Sequence, residues 1–83
     1  MKIPRDIGGE ELAKLLNKYG YQIARQTRSH VRLTTSLKGE HHITIPRHKY
    51  LKAGTLNSIL SDIAKYLKVD KQVLINELFS KGK

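Results

Sequence analysis

The chain of 83 residues has no cysteine and no tryptophan, only five aromatic rings from Phe and Tyr, and just seven acidic residues against sixteen lysines and arginines. Without cysteine there is no disulfide framework and no thiolate metal site, which fits a reducing cytoplasm. No apolar run resembles a signal peptide or is long enough to span a bilayer, so no membrane role is expected. The shortage of acid leaves a net charge of +9 and a pI near 10.1. An excess of that size favours a polyanion partner through counterion release. Nucleic acid leads, an acidic protein partner follows, and plain solubility accounts for the charge with no partner at all. Length bounds the rest. One domain, 1–83, is expected, and its small core must take most of the apolar positions.

The chain shows no repeat, no low-complexity tract and no linker. In "GGEELAKLLNKYG", Leu12, Leu15, Leu16 and Tyr19 follow the spacing of one buried helical stripe. Glu10 and Glu11 suit the N-terminal end of the helix dipole, and Gly20 stands where a left-handed residue ends a helix. "YQIARQT" alternates, with Tyr21 and Ile23 on one face. "HVRLTT" places Val31 and Leu33 inward, and "HHITI" does the same with Ile43 and Ile45. "SLKGE" is a hairpin loop in which Gly39 is free to take positive φ, and Pro46 ends the third strand. "GTLNSILSDIAKYL" is a second helix with Leu56, Ile59, Leu60, Ile63 and Leu67 buried. Asp70 caps a last short helix, "KQVLINELFS", with Val73, Leu74 and Leu78 inward. The order α-β-β-β-α plus a C-terminal helix makes a two-layer α+β sandwich on a three-stranded antiparallel sheet.

Strand parity places the histidines. With Val31 and Leu33 inward, His30, Arg32 and Thr34 face away from the core. Pairing core with core sets Leu33 opposite Ile43, Val31 opposite Ile45, and His30 opposite Pro46 at the open end of the hairpin. Arg47 and His48 follow at once, so both are expected beside His30, with Arg28 near. All of this assumes a ladder without a bulge. Histidine titrates near neutrality and exchanges protons. Arginine and lysine stabilise charge building on a phosphoryl oxygen, and Lys49 and Lys52 precede a helix N-terminus that suits an anion. An exposed histidine beside arginines is also an ordinary surface feature. His41 and His42 point to opposite faces with no carboxylate at ligand spacing, so no metal site and no cofactor is expected. Ser29 beside His30 is a turn residue or local donor and not part of a triad. Tyr21, Tyr50 and Tyr66 read as core or rim and not as a base-stacking platform.

Three stretches, "GEELAKLLNKYGYQIARQTRSHVRL", "ITIPRH" and "LKAGTLNSILSDI", resemble the HicA toxins, also called the YcfA-like family. The likeness runs in order from about Gly9 to Ile63. The resemblance implies a fold similar to double-stranded-RNA-binding domains (dsRBD-like). It implies a cytoplasmic mRNA interferase of a type II toxin–antitoxin system, which cleaves mRNA without a metal or the ribosome and stops growth. It implies a HicB-type antitoxin that covers the active site, with the toxin monomeric when free. The family's catalytic histidine follows a Gly-Ser pair and maps onto His30. This chain has Arg28 where the family usually has glycine. A turn needing positive φ there would cost arginine about 1 kcal/mol or more, whereas a turn of another shape would leave Arg28 free to meet a phosphate.

The expected chemistry is phosphodiester cleavage by 2′-hydroxyl attack, leaving a cyclic phosphate and a free 5′-hydroxyl. His30 serves as general acid or base, His48 as the second proton-transfer group, and Ser29 as an orienting residue. Arg28, Arg32, Arg47, Lys49 and Lys52 hold phosphates. The alternative is an RNA-binding module without catalysis, which has no use for His30. A third reading is a domain whose basic face meets an acidic protein only.

Overall fold

Two glycines open the first helix, and the approach of another segment of chain requires both: a Cβ on Gly8 would stand 2.6 Å from the Lys49 carbonyl oxygen. The Gly9 N–H donates to the His48 carbonyl at 3.0 Å. A Cβ on Gly9 would stand 1.9 Å from the Pro46 carbonyl oxygen, so no larger residue fits there. From this point the computed structural model, which describes residues 6–79, runs α1 (Gly9–Leu16), a 3₁₀ turn (Asn17–Tyr19), β1 (Gln22–Gln26), β2 (His30–Thr35), β3 (His41–Pro46), α2 (Ala53–Leu67) and α3 (Lys71–Phe79). The strands form one antiparallel sheet in the order β1-β2-β3. The domain span 1–83 and the expected helix end at Ser80 reach outside the described residues.

The register of β2 and β3 follows the alternation of their apolar residues. Leu33 pairs with Ile43, Val31 with Ile45 and His30 with Pro46, so all four inward side chains are buried against α1 and α2. Leu12, Leu16, Leu56, Leu60 and Ile63 meet them from the helices. Among the described residues the sheet's other face carries no helix, which leaves two layers and one open face. Among the described residues no helix is long and apolar enough to cross a membrane.

Local chemistry ends the elements as their sequences direct. Gly20 ends the 3₁₀ turn at φ 83°, and Gly39 takes φ 98° in the β2–β3 loop. Lys68 ends α2 in the left-handed region at φ 59°, and the Val69 N–H reaches back to the Ala64 carbonyl, a Schellman closure without its usual glycine. The Asp70 carboxylate accepts the Gln72 N–H at 2.7 Å and starts α3.

Two expectations about burial fail. Val73 is 46% exposed, and Ile75 is buried with Leu74 and Leu78 instead. The stripe on α3 follows one helical face, and Val73 lies about 100° from Leu74 around the axis. Ile23 pairs with the buried Leu33 yet is 56% exposed. It shares the core-facing side of the sheet, but β1 is an edge strand and α1 does not reach over it. Ile23 therefore lines an open groove of about 450 Å³ between β1 and α1, with Ala13, Asn17 and Val31.

Candidate active site

The site is built from a hairpin turn, a bulge and an open sheet face. Thr27, Arg28, Ser29 and His30 join β1 to β2. The Thr27 N–H donates to the His30 carbonyl at 2.9 Å. The reciprocal bond of an ordinary two-residue hairpin is replaced: the His30 N–H donates to the Thr27 side-chain oxygen at 3.1 Å. With the closure taken by a side chain, the turn avoids the primed geometry that needs positive φ. Arg28 accordingly lies outside the left-handed region. The glycine expected from the resemblance is not required by this turn, and arginine sits in it without strain.

Thr27's carbonyl, freed from the turn, accepts from Arg47 Nη1 at 2.6 Å. The same guanidinium grips Glu10 Oε2 through Nε and Nη2, at 2.9 and 2.6 Å. The Arg47 N–H also donates to the Ser29 carbonyl at 2.8 Å. The segment after β3 is therefore next to the His30 turn, as strand parity predicts. The Arg47 guanidinium, however, is tied to α1 and to the turn's backbone.

His30 is exposed on the open face of the sheet. Its Nδ1 lies 2.9 Å from Ser29 Oγ, which fixes the ring and leaves Nε2 toward solvent. Ser29 can reach it because Ser29 belongs to the turn, where neighbouring side chains need not diverge. A shallow hollow of about 300 Å³ surrounds His30, lined by Arg25, Thr27, Arg32 and Thr44. Of the residues singled out in the sequence, His30, Ser29 and Arg32 come together here. Arg28 is exposed in the turn. His48 is exposed two residues beyond Pro46, the ladder partner of His30, and does not line the hollow. Lys49 lies over the Tyr50 ring, 5.6 Å from its centroid, and Lys52 precedes α2 in exposed, extended backbone. Neither lines the hollow.

Arg25, Thr27 and Thr44 escape the sequence reading. Regular alternation from Tyr21 and Ile23 would turn Arg25 inward. A bulge at Ala24 changes this: Ile23 pairs with Leu33, but Arg25 and not Ala24 pairs with Arg32. One signal points to it, since an arginine at an inward position of a small core is itself an anomaly.

His41 and His42 have structural partners. The Tyr21 hydroxyl lies 2.7 Å from His41 Nδ1. Burial pushes this hydroxyl well above the usual tyrosine range, and Tyr66 and Asp62 add to the shift. Tyr21 thus keeps its proton, and His41 Nε2 lies 3.5 Å from Asp62 Oδ1. His41 also stacks on Tyr66, with centroids 4.4 Å apart. His42 bonds Glu40 at 2.8 Å on the opposite face. Burial, then a hydrogen bond to Glu77, likewise holds the Tyr19 hydroxyl high. No group of three or more metal-ligating side chains converges among the described residues.

This is a small basic α+β domain that presents one exposed histidine among arginines on an open sheet. A family model described as the HicA toxin of bacterial toxin–antitoxin systems matches residues 9–65. The chain belongs to that family and is the toxin of a toxin–antitoxin system, which implies an antitoxin partner. No curated protein and no solved structure matches it. The match ends within α2, so α3 lies beyond it.

Proposed function

We propose that this toxin is a cytoplasmic mRNA endoribonuclease in which His30 transfers the proton, held in check by a HicB-type antitoxin. The observation that carries the reading is the setting of His30: exposed, its Nδ1 held by Ser29, and its hollow edged by arginine. His30 Nε2 takes the proton of a 2′-hydroxyl as that oxygen attacks the adjacent phosphorus. The phosphorus–5′-oxygen bond breaks, a cyclic phosphate remains, and the leaving oxygen takes up a proton from a second group. His48 is the candidate for that group. Arg32, Arg28, Lys49 and Lys52 hold flanking phosphates. Arg47 acts differently from a phosphate ligand: it braces the turn that carries His30.

The test is a gel of structured RNA incubated with purified protein in EDTA, wild type beside His30→Ala. Cleavage by the wild type and its loss in the variant, by about 10²-fold or more, is expected. Intact RNA with well-folded wild-type protein would overturn the reading.

A further inference from the structure

The cross-strand pair Arg25 and Arg32 is costly for the fold alone. The two residues are direct ladder partners, which sets their Cβ atoms about 5 Å apart on the same open face. Like charges so placed destabilise a sheet. Among the described residues neither guanidinium has an ion pair or hydrogen bond to relieve it. Glu40, just before β3, is engaged by His42 at the far end of β2–β3. The bulge at Ala24 creates the pair, since a regular ladder would put alanine opposite Arg32. Bulges re-aim side chains next to active sites, and this one turns Arg25 into the hollow that holds His30.

We propose that Arg25 and Arg32 together grip the phosphate next to the scissile one, on a single RNA strand lying across the uncovered sheet face. This deepens the ribonuclease reading and rests on it. Arg32 lies two residues from His30 on the same face of β2, a separation of about 7 Å along the strand. That is close to one nucleotide step of an extended chain. Two guanidinium forks converging from neighbouring strands suit one phosphate, which offers oxygens to both. Thr44, the ladder partner of Arg32 on β3, extends the row with a hydroxyl. The face lacks the aromatic platform that would hold bases, so the grip is on the backbone and tolerant of sequence. The chemistry also asks for a single strand. An A-form duplex holds each 2′-hydroxyl out of line with the leaving 5′-oxygen, and an unpaired strand is free to align them.

The experiment measures binding of a short 2′-O-methyl RNA, which cannot be cleaved, to the full chain over a series of salt concentrations. Wild type is compared with Arg25→Gln, Arg32→Gln and the double variant, and the single strand with its duplex. Each single variant should bind the strand about tenfold or more weakly. The slope of log affinity against log salt should fall by about 0.7 for each phosphate that is no longer neutralised. Melting temperatures should hold or rise, because a repulsive pair has been removed, and the duplex should bind more weakly than the strand. Wild-type affinity and slope in the double variant, or equal affinity for the duplex, would overturn the proposal. Failure of the ribonuclease reading appears in the EDTA gel and not in this binding series.

Discussion

The Arg47 guanidinium spans two elements: it bonds the Thr27 carbonyl at 2.6 Å and the Glu10 carboxylate at 2.6 Å. It thereby ties α1 to the turn that carries His30. A residue with this role should affect the rate more than the binding of RNA. Arg47→Ala is expected to lower kcat with little change in KM for RNA, and to cost about 1 kcal/mol of stability through the hydrogen bonds lost. Glu10→Gln removes only an exposed ion pair and should cost less than about 1 kcal/mol. Steady-state kinetics with thermal melts on both variants check this. A rise in KM alone for Arg47→Ala would make it a phosphate ligand instead.

His48 and His30 should separate under mutation. His48 is exposed outside the hollow, so a substrate must bridge from one to the other. His30→Ala is expected to lose the full contribution of a proton-transfer group, about 10²–10⁴-fold, and His48→Ala distinctly less. Single-turnover cleavage by the two variants, side by side, is the measurement. Equal losses would make the two histidines equal partners.

Gly9 and Gly54 should respond in opposite ways to alanine. A Cβ at Gly9 meets the Pro46 carbonyl, whereas a Cβ at Gly54 meets nothing within 4 Å. Gly9→Ala should cost about 1–3 kcal/mol or more, because backbone must move. Gly54→Ala, in the first turn of α2, should gain up to about 1 kcal/mol. Denaturant titrations give both numbers.

Tyr19 and Tyr21 predict loss of stability in alkali. Both hydroxyls are held above the ordinary range by burial. In the unfolded chain they ionise near pH 10, whereas the folded chain still holds both protons there. The folded state then binds more protons than the unfolded, so stability is full below about pH 10 and falls as pH rises beyond it. Melting temperature followed across that range should show the fall. Tyr21→Phe should flatten it and lower stability at neutral pH by about 1 kcal/mol, the worth of its bond to His41. An unchanged alkaline slope in that variant would contradict the assignment.

Much of this is legible in the sequence, for a physical reason that also sets its limit. Alternation of Val31, Leu33, Ile43 and Ile45 fixes both the facing and the register of β2 and β3, because one face must be buried. His30 opposite Pro46 follows from that alone. β1 has no such anchor. Its Ile23 overhangs the sheet edge, so its alternation does not locate the bulge at Ala24, and only the anomaly of an inward arginine hints at the facing of Arg25. The Arg47 bonds to Glu10 and Thr27 join residues 37 and 20 positions apart, and no local spacing reports them. The posture of Arg28 is hidden too, because it depends on Thr27 closing the turn with its side chain.

The bulge at Ala24 has a consequence for how the free protein keeps to itself. β1 is an edge strand with an exposed Ile23, and among the described residues no strand pairs its outer backbone groups. Such an edge is a template for a second chain. A regular partner strand needs an unbroken ladder, and the bulge interrupts that ladder in the middle of a five-residue strand while the arginine it turns out adds charge beside the edge. The irregularity that aims Arg25 thus also discourages edge-to-edge association. Deleting Ala24 would straighten the strand and leave an unbroken edge ladder more open to pairing with a second chain.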